Sequence, residues 1–194
     1  WFEAYLNGRR LGDAVLDPAP TDCSKSVIYR VFDLAGMLAP GENVLAVHAG
    51  GGWHVSPIVR CQVELDGEVV AKTRPFGFLG GPSAITRNSI YGGEEYDARL
   101  ELDSGGMLPG GPALPPGRGS CRVDPPAGKM RGAMAEPIRE LMELPVRSWQ
   151  ALPDGRFVAD FGQNFAGYCR LKVKAPAGTR ITLRFAEYCN EDGS

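Results

Sequence analysis

The run Asn88-Ser-Ile-Tyr-Gly-Gly-Glu-Glu-Tyr-Asp-Ala-Arg99 gathers two glycines, three acids and two tyrosines into one short stretch. Gly92 and Gly93 permit positive φ and close backbone approach. Glu94, Glu95 and Asp97 are too many like charges to bury unpaired, so the stretch is an exposed loop and not a core strand. Tyr91 and Tyr96 add flat apolar faces with polar tips. Carboxylates that accept from hydroxyls, beside rings that stack on C–H faces, form equipment for gripping a polyhydroxyl ligand such as a sugar. The same residues also suit a solvated turn held in shape by an Asp97–Arg99 or Glu–Arg pair. A surface pair of that kind contributes only about 0–1 kcal/mol. Both readings stand at this point.

Two further stretches could carry chemistry. In Gly50-Gly-Gly-Trp-His54, Trp53 could stack on a pyranose face or pack over the edge of a core. In Asp160-Phe-Gly-Gln-Asn164 the polar side chains could bond sugar hydroxyls. Such side chains at a turn more commonly bond neighbouring backbone, so this corner reads as architectural. No catalytic residue is expected. The chain has only His48 and His54, and it has no Gly-x-Ser-x-Gly elbow to present a nucleophile. Two histidines six apart, the first in a core-strand pattern, do not make a metal site.

Composition narrows the class. The 194 residues are 43% apolar, enough for packed cores, while 26 Gly and 16 Pro imply many turns and few long helices. A net charge of −2 argues against nucleic acid, which needs a basic patch. No apolar run approaches membrane-spanning length. Five scattered cysteines without Cys-x-x-Cys spacing indicate neither a zinc site nor a complete disulfide framework. Reduced thiols point to the cytoplasm, with a signal peptide ahead of Trp1 left open.

The elements that must position these residues read as all-β. Trp1 to Leu6 is an apolar strand turning at Asn7-Gly8, the strongest short hairpin signal. Val27 to Phe32 is β-branched and aromatic. Leu34 to Leu38 suits one helical turn before Pro40-Gly41, and Asn43 to Ala49 is a buried strand bounded by turn residues. Ile58 to Leu65 alternates with period two and turns at Asp66-Gly67 into Glu68 to Lys72. Residues 1–103 are thus expected to form one β-sandwich. The Pro/Gly-rich stretch 104–128 cannot maintain a ladder and is expected to be a linker. Residues 129–194 would form a second sandwich, with strands at 138–144, 146–150, 156–160, 168–174 and 179–187. Its turns would lie at Leu152-Pro-Asp-Gly155 and Ala175-Pro-Ala-Gly178.

The motifs also have an order. Tyr5-Leu-Asn-Gly8, Gly12-Asp13, Leu16-Asp17-Pro18, Thr21-Asp22, Tyr29-Arg-Val-Phe-Asp33, Pro40-Gly-Glu-Asn-Val-Leu45 and Gly51-Gly-Trp53 precede the acidic loop. Asp160-Phe-Gly-Gln-Asn164, Gly167, Pro176-Ala-Gly178, Phe185-Ala-Glu187 and Asn190-Glu-Asp-Gly193 follow it. The series resembles the two β-sandwich domains that precede the catalytic barrel of bacterial α-L-rhamnosidases, which are inverting glycoside hydrolases. The resemblance covers nearly the whole chain, weakly at about 104–135. At the acidic loop, Asn88-Ser-Ile-Tyr-Gly-Gly-Glu94 stands where an Asp-Ile-Tyr-Asn-Gly-Glu type of run is usual, while Glu95 to Arg99 keeps the pattern.

The resemblance implies two antiparallel, jelly-roll-like sandwiches, the second incomplete, cut at both ends from a larger enzyme. It implies an accessory region that packs on the protein's own (α/α)6 barrel and shapes the pocket rim, with Tyr91, Glu94, Glu95, Asp97 and Trp53 as rim or sugar contacts. The partners implied are that barrel and rhamnose-containing glycans. Inverting hydrolysis needs two carboxylates about 6.5–9.5 Å apart across the sugar, and in this family both belong to the barrel. The chain alone should therefore be inactive. Some relatives carry a calcium-dependent rhamnose-binding site after a Thr-Asp pair. Here Cys23-Ser-Lys25 follows Thr21-Asp22 without a further carboxylate, and the long loop after Gly-Trp is absent, so no cofactor is expected. The alternatives are such a binding module, or a purely structural or oligomerisation domain.

Overall fold

The computed structural model describes residues 1–52, 57–73, 81, 83–101, 108–110 and 123–190. Trp53, His54 and most of the expected linker lie outside these residues. Among the described residues the fold is all-β, as the patterning predicts, with eleven strands and a single three-residue 3-10 turn. No helix in them is long and apolar enough to cross a membrane. The chain divides into two compact units, Trp1–Glu140 and Leu141–Ser194.

In the first unit, β1 (Phe2–Leu6) turns into β2 (Arg9–Arg10), and β4 (Leu45–Ala49) lies antiparallel on the other side of β1. The turn needs left-handed backbone twice, with φ 51° at Asn7 and 77° at Gly8. Asn and Gly adopt that conformation at low cost. Alternation along β1 buries Ala4 and Leu6 with Leu11, and Phe2, Phe32, Leu34, Met37 and Leu45 pack against them. Glu3 and Tyr5 take the opposite face. There the Tyr5 hydroxyl donates to Glu3 at 2.6 Å, and Arg10 pairs with Glu3 at 2.8 Å. Burial and the Glu3 carboxylate push the Tyr5 pKa up to about 12.

Among the described residues Asp17 is the buried charge of this unit, only 7% exposed. Its carbonyl accepts the Phe2 N–H at 2.9 Å, while its carboxylate takes Arg30 Nε at 2.8 and 2.9 Å and Arg30 Nη2 at 2.8 Å. Arg30 directly follows β3 (Ser26–Tyr29), which pairs in parallel with β9 (Lys129–Gly132), Ser26 facing Lys129. Lys129 to Gly132, expected at the head of the second domain, therefore belongs to a sheet of the first unit. Ala14 and Arg139 form an isolated bridge, and Arg139 binds Asp13 at 2.9 Å. A Pro/Gly-rich stretch marks where a ladder stops; it does not dictate which edge the next strand joins.

Smaller features follow their turn chemistry. β5 (Gln62–Leu65) and β6 (Glu68–Lys72) form the expected hairpin, with φ 52° at Asp66 and 82° at Gly67. The strand begins at Gln62 and not at Ile58. Leu34 to Met37 makes a single turn closed by Met37 N–H on the Leu34 carbonyl at 2.9 Å. Between the small sheets runs an open trough of about 2650 Å³, lined by Phe2, Ile28, Leu45, Val47 and Val63 among others. Ligand pockets measure about 300–1,000 Å³, so the trough is larger than a small-molecule pocket.

In the second unit β10 (Ser148–Ala151) and β11 (Phe157–Asp160) form a hairpin around Leu152-Pro-Asp-Gly155. Leu152 N–H donates to the Arg156 carbonyl at 2.9 Å and Gly155 has φ 84°. Pro176-Ala-Gly178 also turns as expected, with Thr179 N–H on the Pro176 carbonyl at 3.2 Å. The strands expected at 138–144, 168–174 and 179–187 are not formed. Alternation supplies a strand's two faces, but a strand also needs a neighbour for its backbone groups. The apolar alternates Leu171, Val173, Ile181, Leu183 and Phe185 accordingly face solvent, Phe185 at 75% exposure.

The β3–β9 pairing depends on Gly128. Its N–H donates to the Cys23 carbonyl at 3.0 Å, and a Cβ would stand 2.5 Å from that oxygen and 2.6 Å from the Ser26 nitrogen. Both are backbone atoms that cannot rotate away. Gly128→Ala should destabilise the first unit by about 1–3 kcal/mol, as overpacking does. The denaturation midpoint of the full-length protein checks this, and an unchanged midpoint would count against the pairing.

Candidate functional site

The acidic stretch folds as a hairpin of β7 (Ile85–Ser89) and β8 (Gly93–Tyr96), followed by the 3-10 turn Ala98–Leu100. Arg87 stands opposite Glu95 and Asn88 opposite Glu94, with a register shift between Ile85 and Arg87. Gly93 takes φ 74° where the chain reverses. The Ser89 hydroxyl accepts the Gly92 N–H at 3.1 Å and Arg87 Nη1 donates to the Gly92 carbonyl at 2.7 Å. A Cβ at 92 would stand 2.8 Å from Arg87 Nη1, so a side chain there would push the arginine off the Gly92 carbonyl.

Each acid of the loop has a partner within it. Arg87 Nε donates to Glu95 at 2.9 Å, and Asn88 Nδ2 donates to Glu94 at 3.1 Å. Asp97 caps the 3-10 turn, accepting the Arg99 N–H at 3.0 Å, Arg99 Nε at 2.8 Å and Arg99 Nη2 at 2.6 Å. The Tyr96 hydroxyl donates to Glu101, and this bond raises its pKa. Tyr91 stands at the tip, 86% exposed. The hairpin thus devotes its carboxylates to its own shape and presents an aromatic ring outward. Arg87, which clasps both the turn and Glu95, escaped the sequence reading. Its one signal was a cation eight residues ahead of an acid across a glycine turn, where cross-strand pairing becomes possible.

The structure also joins two stretches that the sequence kept apart. Ile90 N–H donates to the Gly52 carbonyl at 3.4 Å, and Asn88 Oδ1 would lie 3.0 Å from a Cβ on Gly50. The glycine run ahead of Trp53 therefore abuts the hairpin, while Trp53 itself lies outside the described residues. Trp1 closes the other side of that run, its carbonyl accepting the Gly50 N–H at 2.9 Å. The third stretch belongs to the second unit. Asp160 accepts the Gly162 N–H at 2.7 Å, and Phe161 meets Phe165 edge to face at 5.4 Å.

At Thr21-Asp22 the carboxylate accepts the Ser24 N–H at 3.0 Å, the Ser24 hydroxyl at 2.6 Å and Lys25 Nζ at 3.2 Å. Those bonds, Ser24 foremost, hold its pKa below the usual range. Among the described residues no group of three or more His, Cys, Asp or Glu is placed to hold a metal.

The Arg99 hydrogen bonds, chiefly from its side chain, lower Asp97 from the ordinary 3.8 to about 2. Above the ordinary carboxylate range Asp97 is charged whether or not the loop is folded, so its hold on Arg99 is complete there. That hold is lost as pH falls through about 2. An NMR titration should find the Asp97 carboxyl near that value, and Arg99→Gln should bring it back up toward 3.8. A wild-type Asp97 already titrating at the ordinary value would show that the pair does not persist in solution.

Comparison with known proteins adds the family. Residues 1–63 match the α-L-rhamnosidase N-terminal domain, and residues 150–194 match the bacterial α-L-rhamnosidase concanavalin-like domain. An α-L-rhamnosidase of Streptomyces avermitilis is 34% identical over 211 residues, covering 100% of this chain and 20% of its own length. One from Formosa agariphila is 30% identical over 205 residues, covering 94% and 21%. The solved α-L-rhamnosidase of Dictyoglumus thermophilum superposes with a TM-score of 0.67 at 30% identity, over 84% of this chain and 19% of that one. The Streptomyces avermitilis α-L-rhamnosidase solved with L-rhamnose gives 0.67 at 29%, over 84% and 17%. The chain spans about a fifth of the length of the curated relatives it matches. It belongs to the bacterial α-L-rhamnosidase family, of which it carries the N-terminal and concanavalin-like β regions.

Proposed function

We propose that this chain is the non-catalytic accessory β region of an enzyme that releases terminal α-L-rhamnose from glycosides or polysaccharides. Its sheets pack on the protein's own catalytic barrel, and the β7–β8 hairpin stands at the rim of the sugar pocket. The observation that carries the packing is the uncovered apolar surface. Val173, Leu183 and Phe185 face solvent along extended segments without ladders, and Trp149 and Phe157 share one face of the β10–β11 hairpin at 66% and 68% exposure. Large apolar side chains left open to this extent suit a surface that a partner element covers.

At the rim, Tyr91 offers the contact and the acids hold it out. A tyrosine ring stacks on the C–H face of a sugar or on a flat aglycone, and its hydroxyl reaches polar groups at the edge. The reading as a purely structural region draws support from the same bonds, because Glu94, Glu95 and Asp97 are already engaged. The loss of Tyr91 separates the two readings.

The assay uses full-length protein on p-nitrophenyl-α-L-rhamnoside, beside the 194-residue chain, a Tyr91→Ala variant and a Glu94→Ala/Glu95→Ala/Asp97→Ala variant. The full-length protein should cleave and the chain alone should not. Both variants should raise KM severalfold while kcat holds, as loss of a ground-state contact does. Variants that match the wild type would leave the hairpin a scaffold away from the pocket. A full-length protein inert on rhamnosides and active on another sugar would overturn the substrate.

A further inference from the structure

We propose that Asn7-Gly8 is a latent deamidation site that the folded hairpin holds shut through Asn43. It is the one Asn-Gly pair in the sequence. Without a Cβ, Gly8 lets its backbone nitrogen approach the side chain ahead of it. Once deprotonated, that nitrogen bonds to Cγ of Asn7, the Cγ–Nδ2 bond breaks, and ammonia leaves a succinimide. Water then opens the ring at either carbonyl, giving aspartate or isoaspartate in place of the asparagine. One water is consumed and one ammonia released, with no other co-reactant.

In the folded chain the reacting carboxamide is held on both sides. Asn7 Oδ1 accepts the Val44 N–H at 2.8 Å, and Asn7 Nδ2 donates to Asn43 Oδ1 at 2.9 Å. The Asn7 backbone N–H donates to the Val44 carbonyl at 2.9 Å. Asn43 is fixed in its turn, accepting the Ala39 N–H at 2.9 Å and donating to the carbonyls of Ala39 at 2.8 Å and Gly41 at 3.1 Å. Leu108 covers Gly8, its Cδ2 lying 3.0 Å from where a Cβ would be. Swinging Cγ toward the Gly8 nitrogen breaks both side-chain bonds, so the reaction waits for the turn to open.

The product would not fit back. An aspartate carboxylate in this place sets an oxygen where Asn7 Nδ2 now donates, facing Asn43 Oδ1 with two acceptors and no proton between them. Isoaspartate adds a backbone atom inside the turn that sets the register Leu6 to Arg9. Either product loosens β1 from the segment 39–44. Deamidation at this turn would therefore be an irreversible record of opening at the first hairpin.

The experiment incubates full-length protein in mildly alkaline buffer, native and in urea, and follows the Asn7 peptide by mass spectrometry. Native conversion should be slower by about tenfold or more, because it draws on the open population. Asn43→Ala should raise the native rate toward the unfolded one, while Asn88-Ser89 in the same digest stays at its native rate. Equal native and urea rates for the wild type would overturn the proposal, and that comparison decides even where Asn43→Ala fails to fold. So would an Asn43→Ala protein that stays folded and converts no faster than wild type.

Discussion

The Asp17–Arg30 pair fixes how the small sheets of the first unit meet. A carboxylate this deeply buried is tolerable only with a partner that satisfies both oxygens, and the Arg30 fork supplies it. Removing one member of such a pair generally costs about 3–5 kcal/mol, because the other charge stays buried. The clamp joins the β1 sheet, reached through the Phe2 N–H on the Asp17 carbonyl, to Arg30 at the end of β3. β3 in turn carries β9, through the close approach at Gly128. Sheets of two or three strands have little core of their own, so a few directed contacts set their arrangement.

The hairpin that presents Tyr91 follows the same logic at the surface. Arg87 ties the turn to β8, Asn88 ties β7 to Glu94, and Asp97 with Arg99 closes the base. Each exposed pair contributes little alone. Together with the glycines at 92 and 93 they specify one loop shape, and Gly50 and Gly52 brace it from behind. Rim specificity would then come from a ring held at a fixed position and not from a free carboxylate.

Much of this was legible in the sequence where local chemistry decides. Asn7-Gly8, Asp66-Gly67 and Leu152-Pro-Asp-Gly155 announce their turns because few residues accept positive φ. The family was legible in the order of such motifs. Pairings were not. The register shift between Ile85 and Arg87 has no signal in the alternation, and Lys129 to Gly132 joins β3 in parallel from far along the chain. Nor does alternation report whether a neighbour exists, which is why the segments at 168–174 and 179–187 carry strand patterns without strands.

Those two segments bear most directly on the account. A surface that needs cover from the rest of the enzyme should be exposed in isolation and closed in the whole. Hydrogen exchange on residues 168–174 and 179–187, in the full-length protein and in the chain alone, measures this. Slow exchange in the full-length protein with fast exchange in the chain is the predicted result. Fast exchange in both would contradict a region whose extended segments are paired and covered by the rest of the enzyme.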